Sequence, residues 1–164
     1  MKILALGPGS RLTGYAAVKV DRGKILYLGS GVLRFSAETD FLHRLPEIFK
    51  KTNEHFSQFN FDILSLETLI NVKNINSLAK LAQARGALVS ALTRDRNVTI
   101  REYSPNLVKS CVTGFGHADK KSVGKTLSLI FKEDFKFETD DESDALAIAY
   151  CCAVNCMANF NEVR

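Results

Sequence analysis

Histidine is scarce in this chain, and its cysteines are not spaced for metal binding. The 164 residues include three histidines, His43, His55 and His117, which are scattered and form no H-x-x-x-H pair. Of the four cysteines, Cys151 and Cys152 are adjacent, Cys156 lies one helical turn beyond Cys152, and Cys111 stands alone, so no C-x-x-C spacing occurs. This argues against a zinc site and against a disulfide framework, and the thiols read as small core residues in a reducing compartment. No apolar run approaches the roughly 20 residues that cross a bilayer, and no basic stretch leads into a long apolar one at the N-terminus. A cytoplasmic protein is expected. Internal repeats, low-complexity segments and linkers are missing as well, so one domain spanning residues 1–164 is expected, long enough to bury a core. No G-K-[ST] follows Gly7-Pro8-Gly9-Ser10, which excludes a Walker-type phosphate cradle.

What is present is an ordinary apolar content, 46% hydrophobic against 24% charged, and an uneven spread of charge. Residues 1–72 carry nine Lys/Arg and seven Asp/Glu, residues 73–125 ten and three, and residues 126–164 three and eight. A basic middle third can be a nucleic-acid footprint, because cationic side chains displace counterions from phosphates. It can equally be the solvated face of helices.

Three extended stretches open the chain, Lys2–Gly7, Gly14–Asp21 and Lys24–Phe35, the last two joined through Arg22-Gly23 as an antiparallel hairpin. Apolar residues at helical spacing predict a helix over 39–59, interrupted near Pro46. Asp62–Glu67 reads as a short strand ending in a carboxylate, Asn76–Arg94 as a helix, and Val98–Tyr103 as a strand. Helices follow over Asn106–Val112, about Lys120–Lys132, and about Asp141–Asn159. The order β-β-β-α-β-α-β-α-α-α implies an α/β fold: a mixed five-stranded sheet flanked by helices, of RNase H-like type.

Glu67, at a strand end, and Asp141 and Asp144, at the start of the last helix, form the strongest chemical cluster. An i,i+3 pair projects from one helix face and can address one point in space. Carboxylates without paired thiolates suit hard cations such as Mg²⁺ or Mn²⁺. The same segment has a purely structural reading: Thr139-Asp140-Asp141-Glu142 is a capping box, and acids in a first turn complement the helix dipole.

The opening Leu6-Gly7-Pro8-Gly9-Ser10-Arg11-Leu12-Thr13-Gly14-Tyr15 resembles that of the RuvC family of Holliday-junction resolvases. There the first strand ends in D-P-G-S-R before T-G-Y. Leu66-Glu67, Ala82-Gln83-Ala84-Arg85-Gly86, Val108-Lys109 with Gly114-Phe115-Gly116 and Lys120, and Asp141-Glu142-Ser143-Asp144-Ala145 follow in family order. The resemblance implies an RNase H-like nuclease that acts as a homodimer on four-way DNA junctions, with RuvA and RuvB as associates and four carboxylates holding two Mg²⁺ ions. It carries three of those carboxylates onto Glu67, Asp141 and Asp144. The fourth falls on Gly7, which supplies neither oxygen nor charge, so impaired cleavage is expected; the alternative is an inactive junction-binding protein on the same scaffold. Asp140 and Glu142 are not expected to compensate, since neither comes from the first strand. The resemblance further assigns DNA contacts to Lys109 and Lys120, with Arg85 and Lys73 adding to the basic block. Ile70 stands where the family often has an aromatic residue in its junction-contacting loop. The helix Asn76–Arg94 reads either as a symmetric interface or as core.

Overall fold

A computed structural model describes residues 1–7, 9–37, 40–70 and 74–162. Its strands are β1 (Lys2–Gly7), β2 (Leu12–Asp21), β3 (Lys24–Arg34), β4 (Ile63–Glu67) and β5 (Thr99–Tyr103). Its helices are α1 (Phe41–His55), α2 (Ile75–Thr93), α3 (Pro105–Thr113), α4 (Lys120–Phe131) and α5 (Asp140–Glu162). The five strands form one mixed sheet in the order β3-β2-β1-β4-β5. The β1–β2 and β2–β3 pairs are antiparallel, and the β1–β4 and β4–β5 pairs are parallel. The expected element order and sheet therefore hold.

Alternation along the strands divides the core between the two sheet faces. Ile3, Ala5, Ala16, Val18 and Ile63 point to the face covered by α3, α4 and α5. Leu4, Leu6, Ala17, Leu64 and Leu66 point to the face covered by α1 and α2. The expected break near Pro46 does not occur, and α1 runs through the proline. Proline removes one intrahelical hydrogen bond. Burial of Ile48 and Thr52 on the same helix holds α1 on the sheet. Among the described residues no helix is long and apolar enough to cross a membrane.

The first turn of α5 rests directly on the backbone of the β1–β2 hairpin. Gly7 pairs with Gly14 across the two strands. A Cβ added to Gly14 would lie 2.0 Å from the carbonyl oxygen of Asp141, and one added to Gly7 would lie 2.7 Å from it. Side chains at those points would lift the helix, so the glycine pair sets how closely the N-terminus of α5 approaches the sheet. Glu142 ties the same turn down from the other side. Its buried carboxylate accepts from Ser30 Oγ of β3 at 2.6 Å and from the Glu138 N–H at 2.8 Å. Thr139 Oγ1 accepts from the Glu142 N–H at 3.3 Å, which is half of the expected capping box; the Glu142 side chain reaches back to Glu138 instead of Thr139.

Candidate active site

The carboxyl ends of the parallel strands β1, β4 and β5 open on one edge of the sheet, where functional groups gather in open α/β sheets. Leu6 pairs with Leu66, and Glu67 pairs with Tyr103, so position 7 and Glu67 are neighbours at the ends of adjacent strands. By alternation both belong to the α5 face, since Ile3, Ala5 and Ile63 do. A side chain at position 7 would thus project beside Glu67, under the start of α5. Gly7 places none there.

Glu67, Lys109, Lys120 and Asp144 line a cavity of about 260 Å³, together with Pro105, Val108, Val123 and Ala147. Each of the four comes from a different element. Ser104 caps α3 by accepting from the Leu107 N–H, which fixes the turn that presents Lys109. Gly114 ends α3 in the left-handed conformation, φ 79°, which glycine adopts without Cβ strain. The chain then returns so that Asp119 can cap α4 and Lys120 begin it. Beyond Lys120 and Asp144 lies a second cavity of about 470 Å³, lined by Lys121, Glu138, Thr139, Asp140 and Ser143 among others.

The electrostatics centre on Asp144 and Lys120. Lys120 Nζ donates to Asp144 Oδ2 at 2.9 Å and lies 3.6 Å from Asp140 Oδ2. Partial burial works against its charged form, yet the bond to Asp144 and the charges of Asp144, Asp140 and Asp141 outweigh this and hold its pKa above the ordinary lysine value. Glu67 has a raised pKa because burial and then the charge of Asp144 disfavour its carboxylate, with Lys109 and Lys120 offsetting part of the rise. Burial and then Asp144 raise the Asp141 pKa too, against the pull of Lys120. Both carboxyls are thus raised first by removal from water and second by the charge of Asp144, with the neighbouring lysines opposing the rise.

The three predicted acids are therefore coupled, with Asp144 between the other two. The coupling is pairwise: among the described residues no three His, Cys, Asp or Glu side chains gather closely enough to hold a metal ion. With no donor at position 7 either, the set does not fit the two-ion centre that the resemblance implies. Asp140 and Glu142 do not fill the gap, the first being held toward Lys120 and the second toward β3.

The predicted DNA contacts are divided. Lys109 and Lys120 stand in the cleft with the acids. Ile70 follows Glu67 closely and is 51% exposed. Arg85 is drawn into an ion pair with Glu102 and its side chain is only 15% exposed, so it is not brought to the cleft. Lys73 lies outside the described residues. Sequence reasoning missed Phe115, 61% exposed on the loop between α3 and α4, where it meets the His117 ring edge-on. Its setting between two loop glycines was the available signal. The anchoring role of Glu142 was missed as well, because its serine partner comes from a strand 112 residues away in sequence.

Residues 3–152 match the family model described as crossover junction endodeoxyribonuclease RuvC. The chain is 43% identical over 148 residues to crossover junction endodeoxyribonuclease RuvC of Actinobacillus succinogenes, covering 90% of this chain and 76% of that protein. It is 40% identical over 152 residues to the protein of the same description from Vibrio vulnificus, covering 92% and 86%. The structure of Thermus thermophilus RuvC in complex with Holliday junction substrate superposes with a TM-score of 0.86 at 24% identity, covering 97% of this chain and 96% of that one.

Proposed function

Since this chain belongs to the RuvC family of crossover junction endodeoxyribonucleases, we propose that it binds four-way DNA junctions as a structure-specific endonuclease of recombination and repair whose cutting step is impaired by Gly7. The observation that carries this reading is the cleft at the sheet edge. Two lysines and two carboxylates from four elements converge there, beside a strand end with no side chain.

The lysines supply the binding chemistry. Lys109 and Lys120 present ammonium groups to the phosphates of a strand crossing the cleft, which gives affinity and position without reading bases. When DNA enters, Lys120 exchanges its bond to Asp144 for a phosphate oxygen. Ile70 and Phe115, both exposed, are suited to pack against bases where strands part, the aromatic ring by stacking and the aliphatic chain by wedging.

Divalent-metal dependence comes with the family. In the intact set two Mg²⁺ ions, or Mn²⁺ in their place, would activate water and stabilise the leaving 3′ oxygen. Of the implied set this chain keeps Glu67, Asp141 and Asp144, which do not come together closely enough to hold an ion by themselves. Without a fourth carboxylate to share charge between two cations, occupancy falls and paired nicking falls with it. The second reading, a junction-binding protein without catalysis, is the limit of that loss.

A homodimer places two clefts on symmetry-related strands, as paired incisions require. Its support is the outward face of α2, where Ala79, Ala82 and Gly86 are exposed small residues that let a second helix approach closely. Association with RuvA and RuvB and a cytoplasmic setting follow the family. The test is a labelled four-way junction offered beside a linear duplex of the same composition, with and without Mg²⁺. Selective retention of the junction with slow nicking is expected. Equal affinity for both DNAs would overturn the reading.

A further inference from the structure

Where α3 faces α5, each helix contributes one thiol to a pair that the DNA chemistry does not use. The Cys151 S–H donates to Cys111 Sγ at 3.2 Å, although the two residues are 40 apart in sequence. Asn155 brackets the pair: its Nδ2 lies 3.7 Å from Cys111 Sγ and 3.6 Å from Cys151 Sγ, and it is anchored by donating to the Cys151 carbonyl at 2.8 Å. Cys151 is fully buried, whereas Cys111 is partly open to solvent. The other two cysteines, Cys152 and Cys156, are buried in the core along α5. The chain thus has one thiol that an oxidant can reach and a second already in contact behind it.

The geometry points to an oxidative modification site: peroxide converts Cys111 and Cys151 into an intramolecular disulfide that fastens α3 to α5. In the first step Cys111 loses its proton and its thiolate attacks one peroxide oxygen; the O–O bond breaks, Cys111 becomes a sulfenic acid, and the departing hydroxide takes up the released proton and leaves as water. In the second the Cys151 sulfur attacks the Cys111 sulfur, an S–S bond forms, and the S–O bond breaks. The hydroxyl leaves as a second water, carrying the Cys151 proton. The two thiols give up two electrons and the peroxide accepts them. The sulfurs need close only to about 2 Å, which side-chain rotation at the partly exposed Cys111 supplies.

The order of events follows from exposure. Burial, and then the neighbouring Cys111, push the Cys151 thiol well above its ordinary pKa, which suits it to the second step rather than to meeting the oxidant. Lys109 lies two residues before Cys111 on α3, and Asp144 opens the same α5 that carries Cys151. The crosslink therefore fixes the spacing of the two walls of the cleft.

The experiment treats the full chain with an equimolar amount of hydrogen peroxide, quenches remaining thiols with an alkylating reagent, and measures intact mass, crosslinked peptides and Tm. The expected result is loss of two hydrogens per chain, with fragment-ion sequencing joining Cys111 to Cys151 rather than to Cys152. Tm should rise by about 5 °C or more. Dithiothreitol should reverse all three changes. Cys111→Ser, which alters a partly exposed position and leaves the buried packing intact, should abolish the crosslink and the Tm rise. Oxygen addition at Cys111 without a crosslink, a bond from Cys111 to Cys152 or Cys156, or a Cys111–Cys111 bond between two chains would overturn the assignment.

Discussion

The ammonium of Lys120 donates to Asp144 at 2.9 Å in the free protein, and the proposed function gives it a second partner, a DNA phosphate. Lys120→Ala should weaken junction binding and lower the slope of log affinity against log salt by about one. Fluorescence titrations at several salt concentrations measure this, and an unchanged slope would remove Lys120 from the phosphate interface. Glu67 and Asp141 bear the opposite burden. A carboxyl whose folded pKa lies above its unfolded value binds its proton more tightly in the fold. Its stabilising contribution is present below the unfolded carboxylate pKa and is lost as pH rises through the raised value. Stability of the free protein should therefore fall as pH climbs out of the ordinary carboxylate range, and Glu67→Gln should flatten that fall and raise Tm near neutrality. Thermal melts across pH check it; a variant less stable than the parent would mean the glutamate is already compensated. Glu142 is a different case, a buried carboxylate whose acceptors are used by Ser30 and the Glu138 N–H. Glu142→Ala should cost about 1–3 kcal/mol in urea unfolding by leaving those donors without a partner.

The glycine seat beneath α5 is the element on which the site's geometry depends. Gly14→Ala brings a methyl group to 2.0 Å from the Asp141 carbonyl oxygen, and Gly7→Ala brings one to 2.7 Å. The first should destabilise by about 3 kcal/mol or more and the second by less, because only the second contact can be relieved by a small tilt of the first turn. Urea unfolding of both variants gives the order, and equal losses would contradict the seat. This contact was not legible in the sequence, where Gly14 is one residue among ten glycines and its neighbour on α5 is 127 positions away. The strand ending at Glu67 and the i,i+3 spacing of Asp141 and Asp144 were legible, since both depend on local periodicity. So was the half of the capping box made by Thr139. Its other half was not, because Glu142 finds Ser30 and Glu138 through tertiary packing. Arg85 sits in a basic block by charge count, but β5 places Glu102 against it, and a count along the chain cannot register that pairing. Pro46 read as a break because propensity weighs it alone, whereas the buried face of α1 carries the helix past it.

For the molecule as a whole, the excess of positive charge in the middle third and of negative charge in the last third is brought face to face. α3 and α4 contribute Lys109 and Lys120, β4 contributes Glu67, and α5 contributes Asp144. A cleft that sets two ammonium groups beside two carboxylates offers a polyanion a point of attraction next to acidic groups. The family scaffold is in place, and the two lysines share the cleft with Glu67 and Asp144, while position 7 offers no side chain beside Glu67. The most direct measurement is the rate of Mg²⁺-dependent nicking of a synthetic four-way junction by the unaltered chain and by Gly7→Asp, with junction binding followed in parallel. The new side chain must push against the first turn of α5, so some loss of Tm is expected in the variant. Even so, the account predicts slow or absent nicking by the unaltered chain and at least a hundred-fold faster nicking by Gly7→Asp, with binding little changed. Rapid nicking by the unaltered chain that Gly7→Asp does not increase would contradict it.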